Sequence, residues 1–172
     1  VKRQSAELHS ASQVLGTTPE NVSTQSAKIL TTLSETLKAL EKAQKELAHA
    51  QFYEIVTSTM QIMGVHVLAA HMKVDNIDTL REMTDWFRER HPSGVVVLGA
   101  VVAEKPVLVA AVSRDLNARG LDAGKLVREI AKDIEGSGGG KPTLAQAGGK
   151  DATGLDKALA RSRALIKDLL SA

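Results

Sequence analysis

The apolar positions of this chain change period once, and the change divides it into a helical first part and a mixed second part. In residues 4–15, Leu8, Ala11, Val14 and Leu15 recur at helical spacing, and Gly16 follows as a left-handed C-terminal cap. Thr18-Pro19-Glu20 then predicts a second helix, with an N-cap hydroxyl, a proline at the first helical position and a carboxylate in the positive first turn. Along that helix Leu30, Leu33, Leu37, Leu40 and Leu47 alternate steps of three and four, the a and d positions of a heptad, with Gln44 at the one polar seam position. A helix from about Pro19 to about Met60 would span roughly 60 Å at about 1.5 Å per residue. It reads as an arm. Helix one can cover only its start, so the remaining leucine seam calls for another helix: a second copy of the chain, or a preceding segment of the same polypeptide. A solvated single helix is the alternative.

Beyond the arm the pattern shortens. Gly64 to His71 reads as a strand, and Asp78 is the expected cap of a helix in which Leu80, Met83 and Phe87 share a face. His91-Pro92-Ser93-Gly94 stops it. Two β-branched runs, Val95 to Ala103 and Val107 to Val112, predict a hairpin in mid-sheet. A helix from about Asp122 to Glu135 should bury Leu126, Ile130 and Ile134. A last helix should start at the capping-box-like Thr153-x-x-Asp156 and bury Leu155, Leu159, Ile166 and Leu169. The expected fold class is α/β (α+β): a long helical hairpin or coiled-coil arm over residues 1–60, and a small globular domain over residues 61–172 with helices packed on a central β-sheet.

Composition narrows the chemistry. The 172 residues contain no cysteine, which removes disulfides and thiolate metal sites and fits a reducing, cytoplasmic setting. No uncharged apolar run reaches membrane-spanning length. Because the chain opens on Val1 with helix-like sequence already under way, it reads as a piece of a longer polypeptide. Net charge is only +2, and the excess of cations lies after residue 60. The five histidines, His9, His49, His66, His71 and His91, include no i, i+4 pair, and no catalytic constellation stands out.

The stretch Gly136 to Lys150 holds six glycines in fifteen residues, with Leu144-Ala145-Gln146-Ala147 at its centre. It reads as a structured loop with open backbone amides, against the alternative of a flexible linker. It is not a Walker A motif, since Pro142 follows Lys141, and not a dinucleotide fingerprint, since a helix precedes it. Lys125, Arg128 and Lys132 lie at i, i+3 and i+7 on the helix leading in, while Arg114, Arg119, Lys141 and Lys150 flank the stretch. Lys125 is placed to pair with Glu129. Seven cations beside such a loop point to a phosphate-backbone surface. The low aromatic content, 2%, favours contact with a folded, duplex-like nucleic acid over stacking on splayed bases.

Four segments carry a family resemblance: Gly94 to Val101, Val109 to Leu116, Gly120 to Val127, and Gly138 to Gly149. In this order they resemble the C-terminal, DHHA1-type domain of bacterial-type alanyl-tRNA synthetases. Leu15 to Glu20 is similar to the connector preceding that domain. The resemblance implies an α/β unit that contacts the outer corner of alanine-specific tRNA, helps aminoacylation and editing share one tRNA, and can dimerise through its helical part. It implies a parent using ATP, magnesium and zinc, none of whose catalytic motifs occur here. The family's glycine motif maps onto Gly138, Gly139, Gly140, Lys141, Gln146, Gly148 and Gly149, and its Ser-Lys/Arg-Asp segment onto Ser113, Arg114 and Asp115. Two other readings stay open: a purely structural dimerisation domain, and a nucleic-acid-binding domain of a DHH-type phosphoesterase, whose Asp-His-His core is missing from the sequence.

Overall fold

The computed structural model describes residues 2–171; Val1 and Ala172, the outer limits of the two expected domains, lie outside them. The chain forms two compact units, one through Glu46 and one from Leu47 onward.

In the first unit, α1 (Lys2–Val14) ends on Gly16 at φ +61°, where the Thr17 amide bonds back to Ser12 at 2.9 Å and the Gly16 amide to Gln13 at 3.2 Å. This paired closure is the glycine stop the sequence predicts. A short 3-10 turn, Pro19–Asn21, leads into α2 (Val22–Val56). Thr18 does not cap a backbone amide; its hydroxyl accepts from Asn21 Nδ2 at 3.2 Å. Along α2, Leu30, Leu33, Leu37 and Leu40 are 66, 52, 56 and 52% exposed. The seam is uncovered, and Val14 of α1, expected on a buried face, is 85% exposed.

The second unit takes in the end of α2 and a six-stranded sheet in the order β1-β2-β3-β4-β6-β5. The strands are β1 (Met60–Ile62), β2 (Val65–His71), β3 (Gly94–Val102), β4 (Lys105–Val112), β5 (Ser137–Lys141) and β6 (Leu144–Gly148). Only β2 and β3 run parallel, His66 opposite Gly94, because α3 (Ile77–Arg90) crosses between them. The β3–β4 hairpin turns through Ala103 and Glu104, both at positive φ.

Period-two alternation in the central strands divides the core between two sheet faces. Val95, Val97, Leu108, Ala110 and Val112 pack with α5 (Ala123–Ala131) and α6 (Leu155–Ser171). Val96, Leu98, Val109 and Ala111 pack with α3 and with Ala48, Phe52 and Val56 at the end of α2. Both faces are therefore covered, and β3 and β4 are buried along nearly their whole length.

Local details differ from the pattern at polar positions. Asn76, not Asp78, caps α3, accepting from the Thr79 amide at 2.8 Å, while Asp78 pairs with Arg81 at 2.8 Å. Asp151 holds the turn before α6 through the Thr153 amide at 2.9 Å, so Thr153 donates to a carboxylate instead of capping. Leu169 is exposed and Leu170 buried, because the apolar stripe of α6 advances by one position. A one-turn helix, α4 (Arg114–Ala118), and the short edge strand β1 add to the expected elements.

Candidate nucleic-acid interface

The glycine-rich stretch is a β-hairpin. β5 and β6 pair with Gly138 opposite Ala147 and Gly140 opposite Ala145, and Pro142-Thr143 forms the tip. Period two explains the miss: Ala145 and Ala147 are small enough to read as loop residues, yet both are buried against α5.

The glycines are needed where the chain crosses itself. A side chain on Gly149 would stand 2.1 Å from the Ile134 carbonyl, one on Gly136 2.2 Å from that of Gly148, and one on Gly124 3.0 Å from that of Gly140. α5 can thus lie close on β5. The amides expected to be open are already used. Gly136 donates to Ala131 at 2.9 Å, Gly149 to Pro106 at 3.0 Å and Lys150 to Ile134 at 2.9 Å. Of the backbone, what stays open is the outer edge of β5, which has β6 as its one neighbouring strand.

The hairpin tip is tied to the α4–α5 connection. Asn117 Nδ2 donates to the carbonyl oxygens of Leu121 and Pro142, at 2.7 and 2.9 Å. This gathers Lys141, Arg119 and Lys125 around the tip, all exposed. Arg128 follows one turn along α5, its Nε donating to the Gly124 carbonyl at 3.1 Å beside Gly139. Among the described residues none of these four has a carboxylate partner within salt-bridge distance, nor does Arg114.

Other expected members lie elsewhere. Lys132 is matched by Glu129 at 2.9 Å, so Glu129 serves Lys132 and Arg161 and leaves Lys125 free of it. The Lys132 ammonium, first by its hydrogen bond, holds the Glu129 carboxyl below its ordinary range. Lys150 sits at the other end of the hairpin, where it lines an open groove of about 580 Å³ with Lys105, Gly148 and Glu135. Gln146 points to the opposite sheet face and accepts from Arg81 Nε at 3.0 Å. Arg114 borders a cleft of about 790 Å³ with Arg88, Ser113 and Asp115. There Ser113 and Ser93 hydrogen bonds hold the Asp115 carboxyl low, Ser93 donating at 2.6 Å. Ser113 Oγ accepts from the Gly94 amide at 3.1 Å.

Sequence reasoning missed the arrangement of the aromatic residues. Few as they are, Phe52, Tyr53 and Trp86 line a single pocket of about 400 Å³ between the end of α2 and α3. The adjacent Phe52-Tyr53 near the end of the long helix, with Trp86 on the next helix, was the available signal. Of the histidines, His66 and His91 stack at 4.3 Å between ring centroids, and His71 lies 3.3 Å from Asp156. No group of three or more potential metal-ligating side chains forms among the described residues. Nor is any described helix long and apolar enough to cross a membrane.

A mixed sheet with helices on both faces, a glycine hairpin under α5 and the Ser113-Arg114-Asp115 corner after β4 define the class: the chain belongs to the DHHA1 domain family, whose model matches residues 64–168. The domain is homologous to the C-terminal region of alanine–tRNA ligases. It is 36% identical over 170 residues to the alanine–tRNA ligase of Pelotomaculum thermopropionicum, covering 99% of this chain and 19% of the relative. It is 42% identical over 158 residues to that of Anaeromyxobacter dehalogenans, covering 92% and 17%. The chain thus spans less than a fifth of these relatives, and the similarity includes the helical stretch before the sheet. Among solved structures, the C-Ala domain of Aquifex aeolicus alanyl-tRNA synthetase is similar at a TM-score of 0.57 and 26% identity, covering 66% of this chain and 98% of that one.

Proposed function

We propose that this chain is the C-terminal module of an alanine–tRNA ligase, acting in the cytoplasm. In this reading it binds the outer corner of tRNA and so helps aminoacylation and editing to act on one tRNA. Catalysis, with ATP, magnesium and zinc, belongs to the rest of that enzyme. One observation carries the RNA reading: Arg119, Lys125, Arg128 and Lys141 lie at the hairpin tip and along α5, and among the described residues none of them has a carboxylate within salt-bridge distance, the nearby Asp122 being engaged as the cap of α5. Cations held so by a rigid backbone suit the phosphates of a folded RNA, whose shape is fixed in advance.

The glycines act indirectly. They allow α5 to lie on β5, and this sets the spacing between Lys141 and the α5 cations. The experiment is a titration of the 172-residue chain with tRNA at two salt concentrations. Binding that weakens steeply with salt supports the reading, and binding that is absent or indifferent to salt overturns it.

Self-association is the second part of the proposal, and the uncovered leucine seam of α2 favours it. A second copy of the chain would supply matching a and d positions, with Gln44 facing the seam.

A further inference from the structure

The chain has one tryptophan, one tyrosine and two phenylalanines, and its core is otherwise filled by Val, Leu, Ile, Ala and Met. Three of the four aromatics nevertheless converge on one pocket. His49, Phe52, Tyr53 and Val56 share a face of α2 at i, i+3, i+4 and i+7, and they meet Trp86, Glu89 and Arg90 at i, i+3 and i+4 on α3.

Packing accounts for part of this: Phe52 and Val56 are buried in the core cluster that Trp86 packs against, but Tyr53 is 54% exposed and Trp86 is only half-buried. Those two rings are held without being fully covered. His49 meets Trp86 edge to face at 4.6 Å, Phe52 leans on Trp86 at 5.9 Å, and the Arg90 guanidinium lies 5.1 Å from the Tyr53 ring centre. The cleft, about 400 Å³, falls within the size range of small-molecule sites.

We propose that this pocket takes one unstacked nucleobase of an RNA strand. The inference rests on the reading of the domain as RNA-binding, and it adds a second site on the sheet face opposite α5. Three features select a base. Aromatic rings and a guanidinium plane offer the stacking faces that a splayed base uses. Glu89 and His49 at the rim can exchange hydrogen bonds with a base edge. Glu89 also borders the neighbouring cleft, where Arg88 is already paired with Asp85 at 3.1 Å and Asp115 adds a further carboxylate. Arg114 in that cleft has no carboxylate within salt-bridge distance among the described residues, so one guanidinium is left to hold the adjoining phosphate. An apolar side chain from a protein partner would use the rings but leave these polar groups without a role.

Trp86 is the chain's single tryptophan, so its emission reports the pocket alone. The 172-residue chain is titrated with a single-stranded purine hexaribonucleotide, with a blunt RNA duplex and with tRNA. The single strand should quench Trp86 saturably and the duplex should not. Tyr53→Ala and Arg90→Ala should each weaken the single-strand affinity about tenfold, the usual cost of one lost stacking partner, while Tyr53→Phe retains it. If tRNA binds with its salt dependence intact but the single strand leaves Trp86 unquenched, the pocket inference falls and the RNA reading stands. If no RNA binds, both fall. Equal quenching by the duplex, or a Tyr53→Ala variant that changes sedimentation mass without changing RNA affinity, would reassign the pocket to another ligand or to a protein contact.

Discussion

Asn117 holds Pro142. The same side-chain nitrogen that donates to the Pro142 carbonyl at 2.9 Å also donates to Leu121 at 2.7 Å, so one amide group links α4, the start of α5 and the hairpin tip. Asn117→Ala removes both bonds, although Pro142 keeps the Ala123 amide as a partner. The expected loss is about 1–2 kcal/mol of stability, read from the denaturant midpoint at unchanged slope. Retained stability would mean that water replaces the amide without cost.

Two glycines near the hairpin base should respond in opposite ways. A side chain on Gly154 would meet the Asp133 carbonyl at 1.8 Å, which backbone on both sides cannot relieve by a rotamer change. Gly148 has nothing within 4 Å of that position. Gly154→Ala should therefore destabilise by about 3 kcal/mol, and Gly148→Ala should stay within about 0.5 kcal/mol, in thermal unfolding. Equal effects would show that conformational entropy, and not close approach, explains the glycines.

The sequence showed its helices and central strands because each buries a face wide enough to leave a period. Leu80, Met83 and Phe87 mark α3, Leu126 and Ile130 mark α5, and the run Val95 to Val101 marks a strand covered on both sides. The hairpin was hidden because its inward residues are only Ala145 and Ala147, and β5 presents three glycines. Caps were misplaced where two short polar residues compete within one turn, Asn76 with Asp78 and Asp151 with Thr153. For the candidate interface, linear spacing marked the cations but not their partners. Glu129 is taken by Lys132, three residues further along, and by the distant Arg161, which the packing of α6 on α5 brings within reach.

That packing carries a pH signature. The Asp133 side chain is 5% exposed, and although burial raises its affinity for a proton, hydrogen bonds from Lys157 and Arg161 and their charges outweigh this and lower its pKa. A carboxyl lowered on folding stabilises the native state above its unfolded pKa, and loses that contribution as pH falls through its folded value. Arg161→Ala should cost about 1–3 kcal/mol at pH 7 and progressively less as pH falls below about 4. Urea midpoints of both proteins across pH 2 to 7 test this. A difference independent of pH would assign the effect to lost packing of the arginine stem.

The leucine seam predicts assembly. Leu33→Lys with Leu40→Lys places two charges at exposed d positions, where a lone helix tolerates them and a paired helix does not. Sedimentation equilibrium should show the original chain as a dimer and the double variant as a monomer with unchanged helix content by circular dichroism. An original chain that sediments as a monomer at all concentrations would remove self-association from the proposal and leave the seam for another partner.

The RNA surface is tested most sharply by its salt slope. If Arg119, Lys125 and Lys141 each neutralise one phosphate, changing all three to Ala lowers the slope of log affinity against log salt by about 2 to 3, since each phosphate contact contributes roughly one. Lys132 and Lys157 provide the control, because Glu129 and Asp133 already neutralise them. Replacing those two should change the slope by less than about 1, although net charge falls by two. The comparison separates local phosphate contact from general attraction. If both sets of variants lower the slope in proportion to the charge removed, tRNA responds to the net charge of the domain, and the hairpin tip has no special place in the interface.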